Sequence, residues 1–392
     1  MNRIILVGNG FDLAHGLPTS YKDFIHWYFD EWAFRLLKCT ERIDKDILCT
    51  FELPLSYAWS SYLYRWGSST NRIKGHELIN NLIKDKRHCN AVFCQFMQNI
   101  YKSLETKRWV DIENEYYKLL KPLASNYLSD PDLISAEAKK LNDELDYLTS
   151  LLIEYLNQVQ NRYLTKDNNI NPEIENLIFE PININDISVE TKSKLNEKTD
   201  DIDMIDDKYP NRIMILNFNY TKTADIQTCK NGVLEIKTNY IHGDLSNHKS
   251  IIFGYGDELD NNFRKILDLN DNNMLKEIKS VRYLEADNYR NLLEFIESDI
   301  FQIYVMGHSC GNSDRTLLNT LFEHKNCATI KPFYHKREDN SDDYLNIVQN
   351  IMRNFNDMKM MRDKVVDKTR CKPLPQMKLQ PKQQTESNYY PH

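Results

Sequence analysis

Hydrophobic positions change their period twice along this chain. "RIILVG" (residues 3–8) is a continuous apolar run that stops at glycine, and five further runs come late: "RIMILNFN" (212–219), "TNYIHG" (238–243), "SIIFGYG" (250–256), "FQIYVMG" (301–307) and "CATIKPFYH" (327–335). Runs without alternation are expected where helices cover both faces of a parallel sheet. Between the first two runs, from Tyr21 to about Leu164, apolar residues recur every three or four positions, as in "YKDFIHWYFDEWAFRLLKC" and "LNDELDYLTSLLIEYLNQVQNRYL". That is the spacing of amphipathic helices. The pattern predicts an α/β fold with a doubly wound, mostly parallel, Rossmann-like sheet over residues 1–20 and 210–340, interrupted by a large helical insertion or cap over 21–164. Residues 165–209, rich in Asn, Asp and Glu, read as an exposed polar connector, 341–367 as a C-terminal helix, and the Pro/Gln-rich 368–392 as a disordered tail.

Composition narrows the class. With 392 residues, 41% apolar and 27% charged, the chain can bury a large core, and no segment approaches the roughly 20 apolar residues of a membrane span. The apolar run before Gly8 is too short for a secretory leader, so a cytoplasmic protein is expected. A formal charge of −7 with interspersed signs gives nucleic-acid binding no support. Eight scattered cysteines without a C-x-x-C pair argue for reduced thiols and no structural zinc. Trp27, Tyr28, Phe29, Trp32 and Phe34 crowd one short stretch, too close in sequence for all of them to face one core. Eight of the eleven glycines (Gly8, Gly10, Gly16, Gly243, Gly254, Gly256, Gly307, Gly311) fall at the ends of the apolar runs, so backbone freedom is concentrated in those loops.

Those loops hold the candidate chemistry. An apolar strand ending in Gly8-Asn9-Gly10 and entering a helix is a place where backbone N–H groups can meet a phosphate. Leu13 stands where a dinucleotide fingerprint needs its third glycine, which disfavours a nicotinamide dehydrogenase. Five polar side chains, Asn9, Asp12, His15, Thr19 and Ser20, surround this turn, and Asp12 would repel a phosphate unless it faces elsewhere. Asn219 at a strand end has both a donor and an acceptor to hold a ribose, and His242 has a side chain suited to proton transfer near neutrality. Gly307-His308-Ser309-Cys310-Gly311 also satisfies G-x-S-x-G, the nucleophile elbow of hydrolases. The acid and histidine that should follow it fit badly, with His335 as the best placed.

Taken in order, "GNGFDLAHGLPTSY" (8–21), "WVDIE" (109–113), "LNFNYT" (216–221), "YIHGDL" (240–245) and "VMGHSCGNSD" (305–314) resemble the AbiH family of bacteriophage abortive-infection proteins, up to about residue 335. More distantly they resemble the sirtuin-like NAD-binding fold. Its opening glycines and Ile-Pro align with Gly8, Gly10, Gly16, Leu17 and Pro18, its catalytic His-Gly with His242-Gly243, and its adenosine loop with Gly307-His308-Ser309. Thr19 and Thr221 replace aspartates of that pattern, and its zinc cysteines are absent. The resemblance implies a role in phage defence and a site that binds, and in one reading hydrolyses, NAD or a related nucleotide without a metal. In that site His242 and Asn219 would be catalytic. Gly8, Asn9, Gly10, Phe11, Asp12, Gly16, Pro18, Gly243, Gly307, His308, Ser309 and Asp314 would bind the nucleotide. The roles of Asp111 and Glu113, the phage trigger and self-association into a homo-oligomer stay open. The alternatives are a non-catalytic nucleotide sensor or assembly module and a serine hydrolase at Ser309.

Overall fold

A computed structural model describes residues 1–39, 42–52, 74–84, 90–107, 111–125, 130–164, 170–198, 208–226, 228–260 and 263–377. Trp109 and Val110 of the "WVDIE" motif, His88, and 378–392 of the expected tail lie outside the described residues. No described helix is long and apolar enough to cross a membrane. The chain divides into two compact units: one comprises Met1–Thr19, Leu156–Leu259 and Ile278–His392, the other Ser20–Tyr155 and Asp260–Glu277.

The first unit is built on five parallel strands. β1 (Asn2–Val7) takes the centre, and β2 (Ile43–Lys45), β3 (Cys49–Glu52) and β4 (Asn90–Phe93) belong to the other unit. From β1 the sheet grows to one side through β5 (Arg212–Asn217) and β6 (Glu235–Tyr240), and to the other through β7 (Phe301–Met306) and β8 (Cys327–Phe333), in the order β6-β5-β1-β7-β8. The direction of growth reverses between β1 and β7. That reversal is the topological switch point, outside whose strand ends doubly wound sheets bind ligands.

Both faces of the sheet are covered, which explains the unbroken apolar runs. Ile4 and Leu6 pack with Leu292, Phe295 and Ile296 of helix Asn288–Ser298 and with Leu317, Leu318, Leu321 and Phe322 of helix Arg315–Phe322. Their neighbours Ile5 and Val7 face the other way, against Phe11 and Ala14 of α1 (Asn9–Ala14) and Ile174 and Ile178 of helix Pro172–Ile178. Each such aliphatic side chain removed from water contributes about 1.5–3 kcal/mol, so an unpaired charge at Ile4, Ile5, Leu6 or Val7 would cost this unit at least that much. The expected α/β architecture with a Rossmann-like parallel sheet is therefore present.

Several details depart from the sequence pattern. "SIIFGYG" is not a strand of the sheet: Ile252 N–H bonds to His242 O (2.9 Å), Tyr255 bridges to Ile278, and the apolar side chains are buried beneath a loop path. Polar composition misled over 170–187, where Ile170, Ile174, Ile178 and Phe179 join the core. The expected C-terminal helix is two, Tyr344–Arg353 and Met358–Lys364. They part at Asn354, whose Nδ2 donates to Cys310 O (2.9 Å) and Asn350 O (2.8 Å). The expected disorder does not begin at 368. Val366 N–H bonds Ile330 O (2.9 Å) and Leu374 N–H bonds Tyr334 O (2.8 Å), covering the β8 edge that would otherwise expose unpaired backbone. Pro332 within β8 is tolerated because this strand is at the edge.

The second unit is helical, with a small antiparallel sheet β2-β3-β4 that the periodicity did not reveal. Its strands span three or four residues each, too short for alternation to register. α2 (Tyr21–Lys38) starts at Ser20, whose hydroxyl accepts the Asp23 N–H (3.1 Å). Tyr28, Phe29 and Trp32 are buried, whereas Phe34 is 57% exposed, so the crowded aromatics do divide between core and surface. Asp260–Glu277, placed by the sequence pattern with the α/β core, belongs to this unit.

Candidate functional site

Four loops leave the carboxyl ends of β1, β5, β6 and β7. Gly307 follows β7 with φ +79°, forms an antiparallel bridge with Val7, and its carbonyl accepts the Gly10 N–H at 2.8 Å. A Cβ on Gly307 would lie 2.0 Å from Phe11 N, and one on Gly8 would lie 2.6 Å from the His308 Cα. The glycines of this pair of loops therefore permit two backbones to touch each other. Phe11 N–H is likewise engaged, by Gly8 O at 2.8 Å.

Every polar side chain around the opening turn has an internal partner. The Thr19 hydroxyl donates to Asn9 Oδ1 (2.6 Å), and the Thr221 hydroxyl donates to Asp12 Oδ2 (2.6 Å). The His15 ring joins Phe11 O (2.8 Å) to the Asn171 N–H (2.9 Å), and Ser20 caps α2. Asp12 is 1% exposed and looks inward, towards the turn after β5. Burial pushes its carboxyl up to about 6 against the pull of Thr221, Thr223 and Asn219. Gly16, at φ +80°, ends α1 by donating to Leu13 O (2.9 Å), and Pro18 beyond it is half-buried.

Beside these loops lies a buried charged cluster. Asp314 stands at the N-cap of helix Arg315–Phe322, where an aspartate ordinarily accepts backbone N–H groups of the first turn. Its carboxylate makes no such bond. Instead Lys279 Nζ lies 2.8 Å from Oδ1, His242 Nε2 3.3 Å from Oδ1, and His308 Nε2 3.5 Å from Oδ2. All four side chains are nearly removed from water. Burial alone would raise the Asp314 carboxyl, but Lys279 and the two imidazoles hold it well below the usual carboxylate range. His242 is depressed to about 4, by burial first and by the Lys279 charge second, with Asp314 opposing.

Hydrogen bonds fix which nitrogen carries the proton. His308 Nδ1 accepts the Cys310 N–H (3.0 Å), so its hydrogen sits on Nε2, towards Asp314. In neutral His242 the nitrogen facing the Asp314 carboxylate must be the protonated one, and Nε2 also lies 3.2 Å from the Tyr283 hydroxyl. Its lone pair is then on Nδ1, which has no hydrogen-bond partner among the described residues. Phe218 packs its ring against both histidines, at 4.0 Å from His308 and 5.2 Å from His242. Gly243, at φ +79°, turns the chain so that Ser250 O lies where a Cβ would be, 2.1 Å away, and Ile252 can bond His242 O.

Of the residues read from the sequence, Asn219, Gly8, Gly10 and Gly307 are joined directly, the Asn219 amide donating to Gly8 O at 3.0 Å. His242, His308 and Asp314 form the buried cluster. Ser309 is exposed, its carbonyl held by Asn350 (2.8 Å), and its hydroxyl has no histidine partner among the described residues. Asp111 accepts the Asn114 N–H (3.0 Å) at the start of helix Ile112–Ser125, and Glu113 is buried within that helix, both in the second unit. Sequence reasoning missed Lys279, Tyr283 and Phe218. Among the described residues no cluster of side chains could hold a metal ion.

A family model described as bacteriophage abortive infection AbiH matches residues 4–335, which takes in all four loops and Asp314. The chain belongs to the AbiH family. No curated protein and no solved structure matches it. The match ends near the close of β8, so the helices at 344–364 lie beyond the shared part. Membership in AbiH carries a role in abortive infection, the defence of bacteria against phage.

Proposed function

We propose that this AbiH protein acts in defence by binding NAD or a related nucleotide at the carboxyl ends of β5 and β6 and cleaving its nicotinamide–ribose bond, with His242 as general base. The observation that supports this reading most is the buried His242–Asp314 pair at the end of a doubly wound sheet. Sequestered ion clusters stabilise a fold poorly compared with apolar packing, and perturbed histidines and carboxylates concentrate at reaction sites.

In this mechanism the C1′–N bond breaks with its electron pair leaving on nicotinamide, and a water oxygen bonds C1′. The water's proton passes to His242 Nδ1, and Asp314 stabilises the imidazolium that results. Asn219, whose amide is already held by Gly8 O, keeps its Oδ1 for a ribose hydroxyl. The Gly10 and Phe11 amides, engaged within the chain, are not assigned the diphosphate.

The test is incubation with NAD and related nucleotides, with and without phage lysate, followed by chromatography for nicotinamide. Wild type should release it, and His242→Gln and Asn219→Ala should not. Intact nucleotide under every condition, together with undiminished phage resistance in His242→Gln cells, refutes the reading. The burial of His242 behind Tyr283 favours one second reading, a nucleotide sensor without turnover. It is distinguished by ligand-induced thermal stabilisation with no product.

A further inference from the structure

A cavity of about 610 Å³ opens in the first unit, lined by Glu180, Pro181, Ile182, Asn183, Lys331, Arg370 and Lys372. Its size is that of a small-molecule site. Three cations and one carboxylate line its wall, with Asp186 against Lys331 and Asp367 beside Arg370 just outside it. Lys331 projects from β8 and is 4% exposed, held by Asp186 (2.9 Å) and Glu180 (3.2 Å). Behind the wall, fully buried Arg3 donates to the backbone carbonyls of Ile178 (2.8 Å) and Glu180 (2.7 Å), and the Tyr304 hydroxyl donates to Glu180 Oε1 (2.9 Å). Lys331, Lys372 and Tyr304 keep Glu180 ionised against the push of burial, holding its carboxyl below the usual range.

The outer two cations are less committed. Lys372 uses one of its three ammonium donors, on Glu180 (2.9 Å). Arg370 donates to Asn185 O and faces Asp367 only at 3.6 Å, leaving most of its five-donor fork towards solvent. A planar guanidinium beside a flexible ammonium, with a fixed lysine below them, matches an anion with several acceptor oxygens around one centre.

We propose that this cavity binds a compact phosphorylated anion, with Arg370 and Lys372 as its ligands and Lys331 supplying charge from beneath. Glu180 sets the size limit: it occupies the inner acceptor position, so the anion binds at the mouth. The site is independent of the His242 cluster, since it shares no residue with it.

Calorimetric titration of the full chain with inorganic pyrophosphate, at ionic strength held with sodium chloride, tests the proposal. Wild type should bind, and Arg370→Ala and Lys372→Gln should each weaken binding about ten- to a hundred-fold, as loss of a charged hydrogen bond does. Both residues are half exposed, so the variants should fold, which circular dichroism checks. Lys325→Gln, at an exposed lysine outside this lining and outside the His242 cluster, should bind pyrophosphate as tightly as wild type. Absence of binding, wild-type affinity in Arg370→Ala and Lys372→Gln, or a comparable loss of affinity in Lys325→Gln overturns the assignment.

Discussion

Gly232 and Gly307 share a backbone conformation, φ +79°, and differ in surroundings. A Cβ on Gly232 meets nothing within 4 Å, whereas on Gly307 it lies 2.0 Å from Phe11 N and 2.5 Å from Gly10 C. Alanine at either position incurs the left-handed penalty, about 1 kcal/mol or somewhat more. At Gly307 the two loops must also separate by roughly 1.5 Å to restore an ordinary contact of about 3.5 Å. That movement breaks the Gly10 N–H bond to Gly307 O (2.8 Å). Losing a buried bond and straining the packing around it adds about 2–6 kcal/mol. For a unit of this size each kcal/mol moves the melting temperature by about 2–4 °C. Gly232→Ala should therefore lower it by about 2–4 °C and Gly307→Ala by about 6–28 °C, read by scanning calorimetry on the two variants in parallel. A Gly307→Ala melting temperature within about 2 °C of Gly232→Ala would refute the conclusion that close backbone approach is what this glycine provides.

Asp12 gives a pH prediction. Its carboxyl, raised by burial from 3.8 to about 6, holds its proton more tightly in the folded chain than in the unfolded one. The stability this contributes is fully present below about 3.8 and is lost as pH rises through about 6, an effect of up to about 3 kcal/mol. Asp12→Asn, which keeps an acceptor for the Thr221 hydroxyl, should gain on wild type between pH 4 and pH 7; parallel melting profiles across that range would count against the argument. Lys279→Met removes the cation nearest the buried Asp314 carboxylate and should destabilise by about 3–5 kcal/mol. Lys279→Met combined with Asp314→Asn should recover part of that loss in a denaturation cycle, and strictly additive effects would show that the pair is not coupled.

The sheet was legible because its strands are buried on both faces, and burial writes itself into sequence as unbroken apolar runs. "SIIFGYG" shows where that inference stops. Its side chains are as buried as a strand's, yet its backbone bonds go to the turn after β6 and to Ile278, and hydrophobicity alone cannot tell a ladder from a covered loop. His242 and His308 were legible because each adjoins a glycine at a strand end, and Asp314 through the resemblance carried by "VMGHSCGNSD". Lys279 was not. It stands in "LKEIKSVRYLEAD" among other charges, and nothing local marks it as the one that passes inside, because its partner is 35 residues away. Thr221 was visible only as a departure from an aspartate, and its structural task as a donor to Asp12 required the tertiary fold.

The opening turn carries the consequence furthest. In a dinucleotide fold the first βα glycines leave room for a pyrophosphate. Here the loop after β7 fills that room, and the Gly10 amide that would face an anion bonds to Gly307. Asp12, which would repel a phosphate, instead faces Thr221. Both features remove the conflict that the sequence presented, and they redirect the proposed ligand. The approach between β1 and β7 is closed by backbone, so the nucleotide proposed for His242 is placed over the ends of β5 and β6 rather than on the opening turn. Leu13, where the third glycine of that fingerprint would stand, is 41% exposed, so its side chain is accommodated at the surface of α1.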